Sequence, residues 1–174
     1  MKLWRIKPST LAALSLCIML TACGESREGS APLSGLTPGD LAPDFTLTDL
    51  EGKAYTLSSF RNNNPVLLVF WATWCPYCIT EIPRLSSIHE TFSGKGLKVL
   101  AVNVASNDPL ARVEAFSKKR SIPYTILYDK DIIASRLYAV QGIPVSVVID
   151  RSGTVRYRGN QLPGNIEQLL TKIL

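Results

Sequence analysis

Residues 66–78 read Val-Leu-Leu-Val-Phe-Trp-Ala-Thr-Trp-Cys-Pro-Tyr-Cys, and this stretch decides the fold. Its first six residues form a continuous apolar run of strand length, which is typical of a strand buried on both faces. Apolar residues then recur at three- and four-residue spacings and predict a helix over 76–92; they are Ile79, Ile82, Leu85, Ile88 and Phe92. Cys75 and Cys78 therefore lie where a buried strand ends and a helix begins.

This junction favours thiol redox chemistry. The amides of the first helical turn and the positive end of the helix dipole stabilise a thiolate at Cys75, and Pro76 suits the first helical position. Cys78 lies one turn further on and deeper, so we expect Cys75 to be the exposed nucleophile that attacks a partner's disulfide and Cys78 to resolve the mixed disulfide. The alternatives are an inert surface pair or a zinc half-site, but zinc takes four ligands and the chain has one histidine, His89. We predict no metal and no cofactor.

The first 22 residues have the layout of an export signal. A basic start precedes an apolar stretch over 11–20, which is shorter than a membrane-spanning helix needs. Residues 20–24 read Leu-Thr-Ala-Cys-Gly and resemble the lipobox of bacterial lipoproteins, in which the cysteine, here Cys23, becomes the acylated first residue. The alternative is an ordinary signal peptide with a cysteine nearby. Because Gly24 stands where enterobacterial lipoproteins carry aspartate as an inner-membrane retention signal, the choice between inner and outer membrane stays open.

The remaining chain divides into a tether over 23–40, rich in glycine, serine and proline, and a domain over 41–174. Cys17 leaves with the leader and Cys23 takes the lipid, so the domain keeps two cysteines, Cys75 and Cys78. A disulfide between them closes too small a loop to stabilise a fold, and exported compartments permit disulfides. The cysteine count therefore also favours a dithiol that exists for its redox chemistry.

The formal net charge of +5 comes mostly from the leader, which contains Lys2, Arg5 and Lys7. Without the first 22 residues, 16 basic and 14 acidic side chains remain, a net charge of +2. A nucleic-acid-binding function is excluded on this ground. The length of 174 residues, 46% of them apolar and 19% charged, describes one globular domain with a sizeable core.

The other elements alternate between strands and helices. Strands are predicted over 44–48, 53–58, 66–71, 97–104, 124–128, 145–149 and 154–158, and helices over 76–92, 131–139 and 164–173. One more helix follows 97–104; Asn107 or Asp108 is expected to cap it and Pro109 to open it. Residues 44–58 and 145–158 are predicted to form β-hairpins. The pattern predicts an α/β fold with a central mixed β-sheet covered by helices on both faces.

Several motifs resemble the thioredoxin superfamily, and within it the TlpA/ResA-like exported thiol-disulfide oxidoreductases. The resemblance covers residues 41–174, with Phe-Trp-Ala-Thr-Trp-Cys at 70–75 as the strand leading into the active site. Ala-Pro-Asp-Phe at 42–45 matches the domain opening shared with peroxiredoxins, which are AhpC/TSA-related. Pro83 matches the active-site helix proline, and Gly-Ile-Pro at 142–144 matches the loop whose cis-proline lies against the dithiol. The strand and helix at 124–139 resemble the insertion typical of this branch.

The resemblance implies roles for residues around the dithiol. Glu81 matches a glutamate that helps to move protons there, and Val69 replaces the buried aspartate of cytosolic thioredoxin, although a solvated helix carboxylate is the alternative for Glu81. Substrate-binding roles fall on residues beside the pair and in the proline loop: Trp74, Pro76, Tyr77, Ile143 and Pro144. The proline loop would present the backbone of Ile143 to an extended peptide.

The resemblance implies a thiol-disulfide oxidoreductase that is lipid-anchored to a bacterial membrane and acts on exported protein thiols or disulfides, including apocytochrome c. A reductase would be recharged by a membrane electron donor of the DsbD/CcdA type. Pro76 and Tyr77 depart from the Glu-Pro common in ResA-like reductases, so a dithiol oxidase is the alternative. A peroxiredoxin is less favoured because its Pro-x-x-x-Thr-x-x-Cys motif is absent before Cys75, and a Sco-like copper carrier because its Cys-x-x-x-Cys spacing is absent.

Overall fold

The computed structural model describes Met1 and residues 35–174, so the predicted leader, Cys23 and most of the predicted tether lie outside the described residues. The strands are β1 Thr46–Asp49, β2 Ala54–Thr56, β3 Val66–Trp71, β4 Lys98–Asn103, β5 Thr125–Tyr128, β6 Val145–Ile149 and β7 Val155–Gly159. The helices are α1 Pro76–Phe92, α2 Leu110–Arg120, α3 Ile133–Leu137 and α4 Ile166–Ile173, with 3₁₀ turns at Leu57–Phe60 and Ser93–Lys95. Within this part of the chain, no helix has the length and apolarity needed to cross a membrane.

The seven strands form one mixed sheet in the order β2-β1-β5-β4-β3-β6-β7. The three central strands β5, β4 and β3 run parallel, and β1 and β6 pair with them antiparallel. Every residue of β3 and β6 is buried, as is β4 after its first residue, so both faces of the middle of the sheet are covered. This confirms the predicted α/β architecture with its mixed sheet.

A hairpin at each end of the sheet uses the same turn chemistry. In the β1–β2 turn the Asp49 carboxylate accepts hydrogen bonds from backbone N–H groups, including that of Lys53 at 2.8 Å, and Gly52 has a φ of 88°. In the β6–β7 turn Asp150 accepts from the N–H groups of Ser152 and Thr154, at 2.9 and 3.0 Å. Aspartate side chains that bond to the backbone a few residues on are typical of turns. Both predicted hairpins are confirmed.

Asp150 also binds Arg156, whose Nε lies 2.6 Å from its Oδ2. Burial acts to raise the pKa of Asp150, but the hydrogen bonds from Ser152, Thr154 and Arg156 and the charge of Arg156 together lower it below its ordinary value. The ionised carboxylate is therefore part of the structure of this turn.

The predicted strand-helix insertion is present as β5 and α3. It is held to the rest of the fold by Tyr138, which follows α3, is fully buried and donates a hydrogen bond from its hydroxyl to the Pro43 carbonyl at 2.9 Å. The ring centroid lies 5.3 Å from that of Phe70 in β3 and 5.9 Å from that of Phe45. Burial, and to a lesser degree the charge of Asp44, raise the pKa of Tyr138 well above its ordinary value, so the hydroxyl stays protonated.

The start of α2 differs from the prediction. Neither Asn107 nor Asp108 caps it: Pro109 occupies the N-cap position and makes no side-chain capping hydrogen bond. The Asp108 carboxylate instead points into the protein, where buried donors of Thr73 and Asn103 bind it. Buried donors that lack a partner destabilise a fold more than an uncapped helix end in water does, and this decides where the carboxylate goes.

Backbone contacts begin before residue 41. The N–H of Gly39 donates to the Val155 carbonyl at 2.9 Å, and the Val155 N–H donates to Asp40 at the same distance. Leu41 then forms a bridge with Thr154. The end of the segment predicted as tether is thus held alongside the start of β7.

Candidate active site

Cys75 and Cys78 form a disulfide at the junction of β3 and α1, with Cα atoms 5.3 Å apart. Cys75 is the N-cap residue of α1, and its Sγ accepts a hydrogen bond from the Cys78 N–H at 3.1 Å. Pro76 takes the first helical position, as predicted. When the pair is reduced, this N–H and the helix dipole favour a thiolate at Cys75 over one at Cys78.

Exposure does not separate the two cysteines, although Cys75 was expected to be the more exposed. Each residue is only 3% exposed in this disulfide form. The neighbours on either side are open to solvent: Trp74 is 48% exposed and Tyr77 is 71% exposed. A partner therefore meets two aromatic side chains first and must approach the sulfur of Cys75 between them.

Ile143 and Pro144 lie against the dithiol. The peptide bond between them is cis, as the resemblance implies, and the Ile143 carbonyl oxygen lies 3.8 Å from the Cys75 Sγ. The sheet register explains this meeting, because Phe70 of β3 is paired with Val145 of β6. Cys75, which follows β3, and Ile143, which precedes β6, therefore lie at the same edge of the sheet.

Two clefts of different chemistry flank this loop, and both are lined in part by residues 141–143. One, with a volume of about 450 Å³, is of mixed polarity; its lining includes Pro144 and Val145 as well as Tyr77, Arg158 and Asn160. The other, with a volume of about 410 Å³, is lined mainly by apolar side chains; they include Trp74, Val104, Ile132 and Val140. An extended polypeptide lying across the dithiol would have a cleft of mixed polarity on one side and a mainly apolar cleft on the other.

Glu81 lies one turn after Cys78 and is half-buried. Its Oε1 accepts a hydrogen bond from the Leu162 N–H at 3.1 Å, whereas its Oε2 is buried and has no hydrogen-bond partner among the described residues. This carboxylate oxygen is therefore shielded from solvent and open to a hydrogen-bond donor. Val69, where thioredoxin carries its aspartate, is buried between Ala101 and Ser146 in the sheet.

Asp108 supports the active-site loop and was not recognised from the sequence as a site residue. Its carboxylate accepts hydrogen bonds from the Thr73 N–H at 2.7 Å, the Thr73 hydroxyl at 2.6 Å and the Asn103 side-chain amide at 2.7 Å. Trp74 is fixed separately, because its Nε1 donates to the Ser106 carbonyl at 2.8 Å. The signal available in the sequence was an aspartate in the loop after a buried strand, next to the strand that leads to the cysteines.

His89 stands apart from the dithiol. It lies on α1 eleven residues after Cys78, about 16 Å along the helix axis at the usual rise per residue. Its ring packs near Tyr124, with centroids 6.3 Å apart. The imidazole and the two thiols therefore belong to different ends of the helix.

Comparison with known proteins identifies the family. Residues 38–158 match the AhpC/TSA family. The thiol-disulfide oxidoreductase ResA of Geobacillus thermodenitrificans is 34% identical over 137 residues, which cover 78% of this chain and 77% of that protein. The protein of the same name from Bacillus cereus strain ATCC 10987 is 33% identical over the same length, 78% of each chain.

Solved structures agree. A thiol:disulfide interchange protein of the thioredoxin family from Chlorobium tepidum superposes with a TM-score of 0.66 at 26% identity, covering 80% of this chain and 99% of that one. A secreted Mycobacterium tuberculosis disulfide oxidoreductase, described as homologous to DsbE of E. coli, gives a TM-score of 0.61 at 25% identity, covering 74% and 93%. The folds of these proteins are thus similar to the fold described above.

Proposed function

The chain belongs to the AhpC/TSA family and is a ResA-like thiol-disulfide oxidoreductase with a thioredoxin-like fold, and on this premise we propose that it reduces disulfides of exported proteins. One observation carries the proposal. The Cys75–Cys78 pair sits at the start of α1, with the Ile143 carbonyl 3.8 Å from the Cys75 sulfur. A sulfur atom and a free backbone acceptor side by side suit an extended polypeptide substrate.

The reaction is a two-step exchange that starts from the reduced pair. The Cys75 thiolate attacks one sulfur of the substrate disulfide, and the other substrate sulfur leaves as a thiolate and takes up a proton. The Cys78 thiolate then attacks the Cys75 sulfur and releases the second substrate thiol. Two electrons pass to the substrate, and the Cys75–Cys78 disulfide seen in the structure is the product form of the protein.

Glu81 is proposed to take the proton that Cys78 must lose before it attacks. The buried Oε2 of this carboxylate has no hydrogen-bond partner in the part of the chain that the structure describes, and this supports the proposal, because such an atom gains a hydrogen-bonding proton without giving up another bond. Val69 leaves the preceding strand without a carboxylate that would compete for the role.

The direction of electron flow is proposed from the residues between the cysteines. A strong oxidant stabilises its nucleophilic thiolate beyond what the helix dipole provides, and Pro76 and Tyr77 add no charge or imidazole. We place the reduction potential between about −270 mV and about −120 mV, in the more reducing half. A protein poised there in an oxidising compartment needs a membrane donor of the DsbD/CcdA type to keep it reduced.

Membrane attachment is proposed to run through a lipid on Cys23. The lipobox-like residues 20–24 support this proposal. The domain would then work near the membrane that holds its electron donor. Apocytochrome c, whose paired cysteines must be reduced before haem is attached, is the proposed substrate class.

The redox state of the protein in cells tests the direction. We expect alkylation-shift gels to show it largely reduced in wild-type cells and oxidised after deletion of the membrane donor. A protein oxidised in both strains would identify a dithiol oxidase. Reduction of insulin by the full chain with dithiothreitol, compared with its Cys75→Ser variant, tests the exchange itself; equal rates for the two would refute it. Peroxide consumption and copper titration address the peroxiredoxin and copper-carrier alternatives.

A further inference from the structure

Ile132 combines an exposed apolar side chain with an unfavourable backbone. Its φ and ψ are 56° and 33°, in the left-handed region, and the residue is 38% exposed. A β-branched residue is an outlier in this region, whereas glycine or asparagine adopts it readily. Because much of the side chain remains in solvent, core packing does not explain why isoleucine stands here. Strain of this kind at an exposed position points to a function.

Asp129, which is fully buried, fixes the backbone around Ile132 through hydrogen bonds. The Asp129 carbonyl accepts from the Ile132 N–H at 3.0 Å. Its carboxylate accepts from the N–H groups of Ile133 at 2.8 Å, Ala134 at 3.2 Å and Ser135 at 2.7 Å. The turn is therefore fixed by buried hydrogen bonds, and the Ile132 side chain is presented at a set position.

At this position the Ile132 side chain forms part of the wall of the apolar cleft beside the dithiol. Ile132 shares the cleft with Trp74, Val104 and Val140, and the cleft also includes Ile143, whose carbonyl is next to the Cys75 sulfur. Among residues 35–174, none that lines the cleft carries an ionisable side chain. A charged group would lose its hydration there without gaining an ion pair, whereas an apolar side chain would be desolvated favourably.

We infer that Ile132 determines substrate specificity, and that this cleft binds a large apolar side chain next to the reacting cysteine of the substrate polypeptide. The inference rests on the proposed function, in which Cys75 exchanges with polypeptide disulfides. The occupant is a segment of that substrate because the cleft is lined by Trp74, which directly precedes Cys75, and by Ile143, whose carbonyl oxygen lies 3.8 Å from the Cys75 sulfur. The cleft on the far side of the loop differs in that the charged Arg158 lines it beside Pro144 and Val145.

Short peptides with one cysteine in disulfide linkage to glutathione test the inference. Three peptides are compared: leucine directly before the cysteine, leucine directly after it, and serine at both positions. The reduced full chain gives two electrons to each disulfide, releases the peptide and glutathione as thiols, and becomes oxidised at Cys75 and Cys78. We expect one leucine peptide to react roughly fivefold to tenfold faster than the serine peptide, as burial of an apolar side chain provides.

Ile132→Asn removes the apolar wall while suiting the left-handed backbone. We expect it to bring the leucine and serine peptides within about twofold of each other and to leave the thermal midpoint no lower than that of the wild type. Ile132→Gly, which also tolerates this backbone, should behave alike. Leu110→Asn is the matched control, since Leu110 has the same 38% exposure and does not line the cleft, and it should keep the preference.

The outcomes separate the two proposals. Equal rates for the leucine and serine peptides in the wild type, or a preference that survives in Ile132→Asn, would overturn the role of Ile132 and leave the oxidoreductase proposal standing. If no peptide disulfide reacts faster with the wild type than with Cys75→Ser, the proposed function itself fails, and the specificity fails with it.

Discussion

Replacing Asp108 by alanine is expected to lower the free energy of unfolding by about 3–5 kcal/mol. The carboxylate is almost completely buried and accepts three hydrogen bonds of 2.6–2.7 Å, two from Thr73 and one from Asn103. A hydrogen bond to a charged group contributes about 1.5–3 kcal/mol, and a buried donor left alone costs about 1–3 kcal/mol. The Thr73 hydroxyl can rotate, so the Thr73 N–H and the Asn103 amide are the donors that lose their acceptor. Because the free-energy contributions of hydrogen bonds in one network are not additive, the expected destabilisation is smaller than the sum of the individual values.

Asp108→Asn is the matched variant that keeps the shape. Its amide oxygen can occupy the Oδ2 position and retain the bonds from the Thr73 N–H and Asn103, while its amide nitrogen donates to the Thr73 hydroxyl. The free energy of unfolding then falls by about 1–2 kcal/mol, because hydrogen bonds to a charged carboxylate are replaced by weaker hydrogen bonds to a neutral amide. The ion pair with the exposed Arg112, at 3.9 Å, adds little.

Urea denaturation of the oxidised protein at pH 7 measures both changes, and the slope of unfolding free energy against urea reports whether the folded state keeps its compactness. The expected order of midpoints is wild type, then Asp108→Asn, then Asp108→Ala. If the alanine variant stays within about 1 kcal/mol of the wild type, or if the two variants coincide, the buried network is not what holds the active-site loop.

Three further predictions concern single side chains. Cys78→Ser should accumulate mixed disulfides through Cys75, while Cys75→Ser should not; adducts found by mass spectrometry mainly on Cys78 would reverse the roles. Glu81→Gln should keep the fold and shift the pH dependence of thiol alkylation, and superimposable curves would assign Glu81 no part in proton transfer. The pKa of Asp150 is lowered in the fold, so its stabilisation is present above the unfolded pKa of about 3.9 and is lost as the pH falls through the lower folded pKa. Asp150→Asn should therefore lower the urea midpoint at pH 7 and match the wild type in strong acid; a midpoint unchanged at pH 7 would contradict this.

The elements around the dithiol follow from local sequence signals. A six-residue apolar run became β3, the three- and four-residue spacing became α1, and Pro76 took the first helical position. The ends of the sheet were equally predictable, since the Asp-x-x-Gly turns at 49–52 and 150–153 bond to their own backbone. In each case the deciding interactions lie within a few residues along the chain.

Asp108 shows where this reasoning stops. An aspartate just before a proline and a helical stretch is a good cap by local rules, and the sequence favoured that interpretation. The partners that capture it, Thr73 and Asn103, lie 35 and 5 residues away, and the bonds become available only after β3 and β4 pair. Similarly, the low exposure of Cys75 could not be predicted locally, because the Ile143 carbonyl beside its sulfur lies 68 residues away and is brought there by the register of β3 and β6.

Residues with unfavourable backbone conformations are concentrated around the dithiol, and no local sequence signal predicts them. Six residues other than glycine have positive φ in residues 35–174, and four of them adjoin the two clefts: Ala105, Asn107, Ile132 and Ala139. The first two flank Ser106, whose carbonyl accepts a hydrogen bond from Trp74, and Ala139 lines the cleft of mixed polarity. Alanine and isoleucine have no preference for left-handed backbone, so buried carboxylates such as Asp129 and the strand pairing must impose it. Because the constraint comes from the packed interior, the loops that meet a substrate can stay rigid while the side chains they carry vary with the substrate that the protein must recognise.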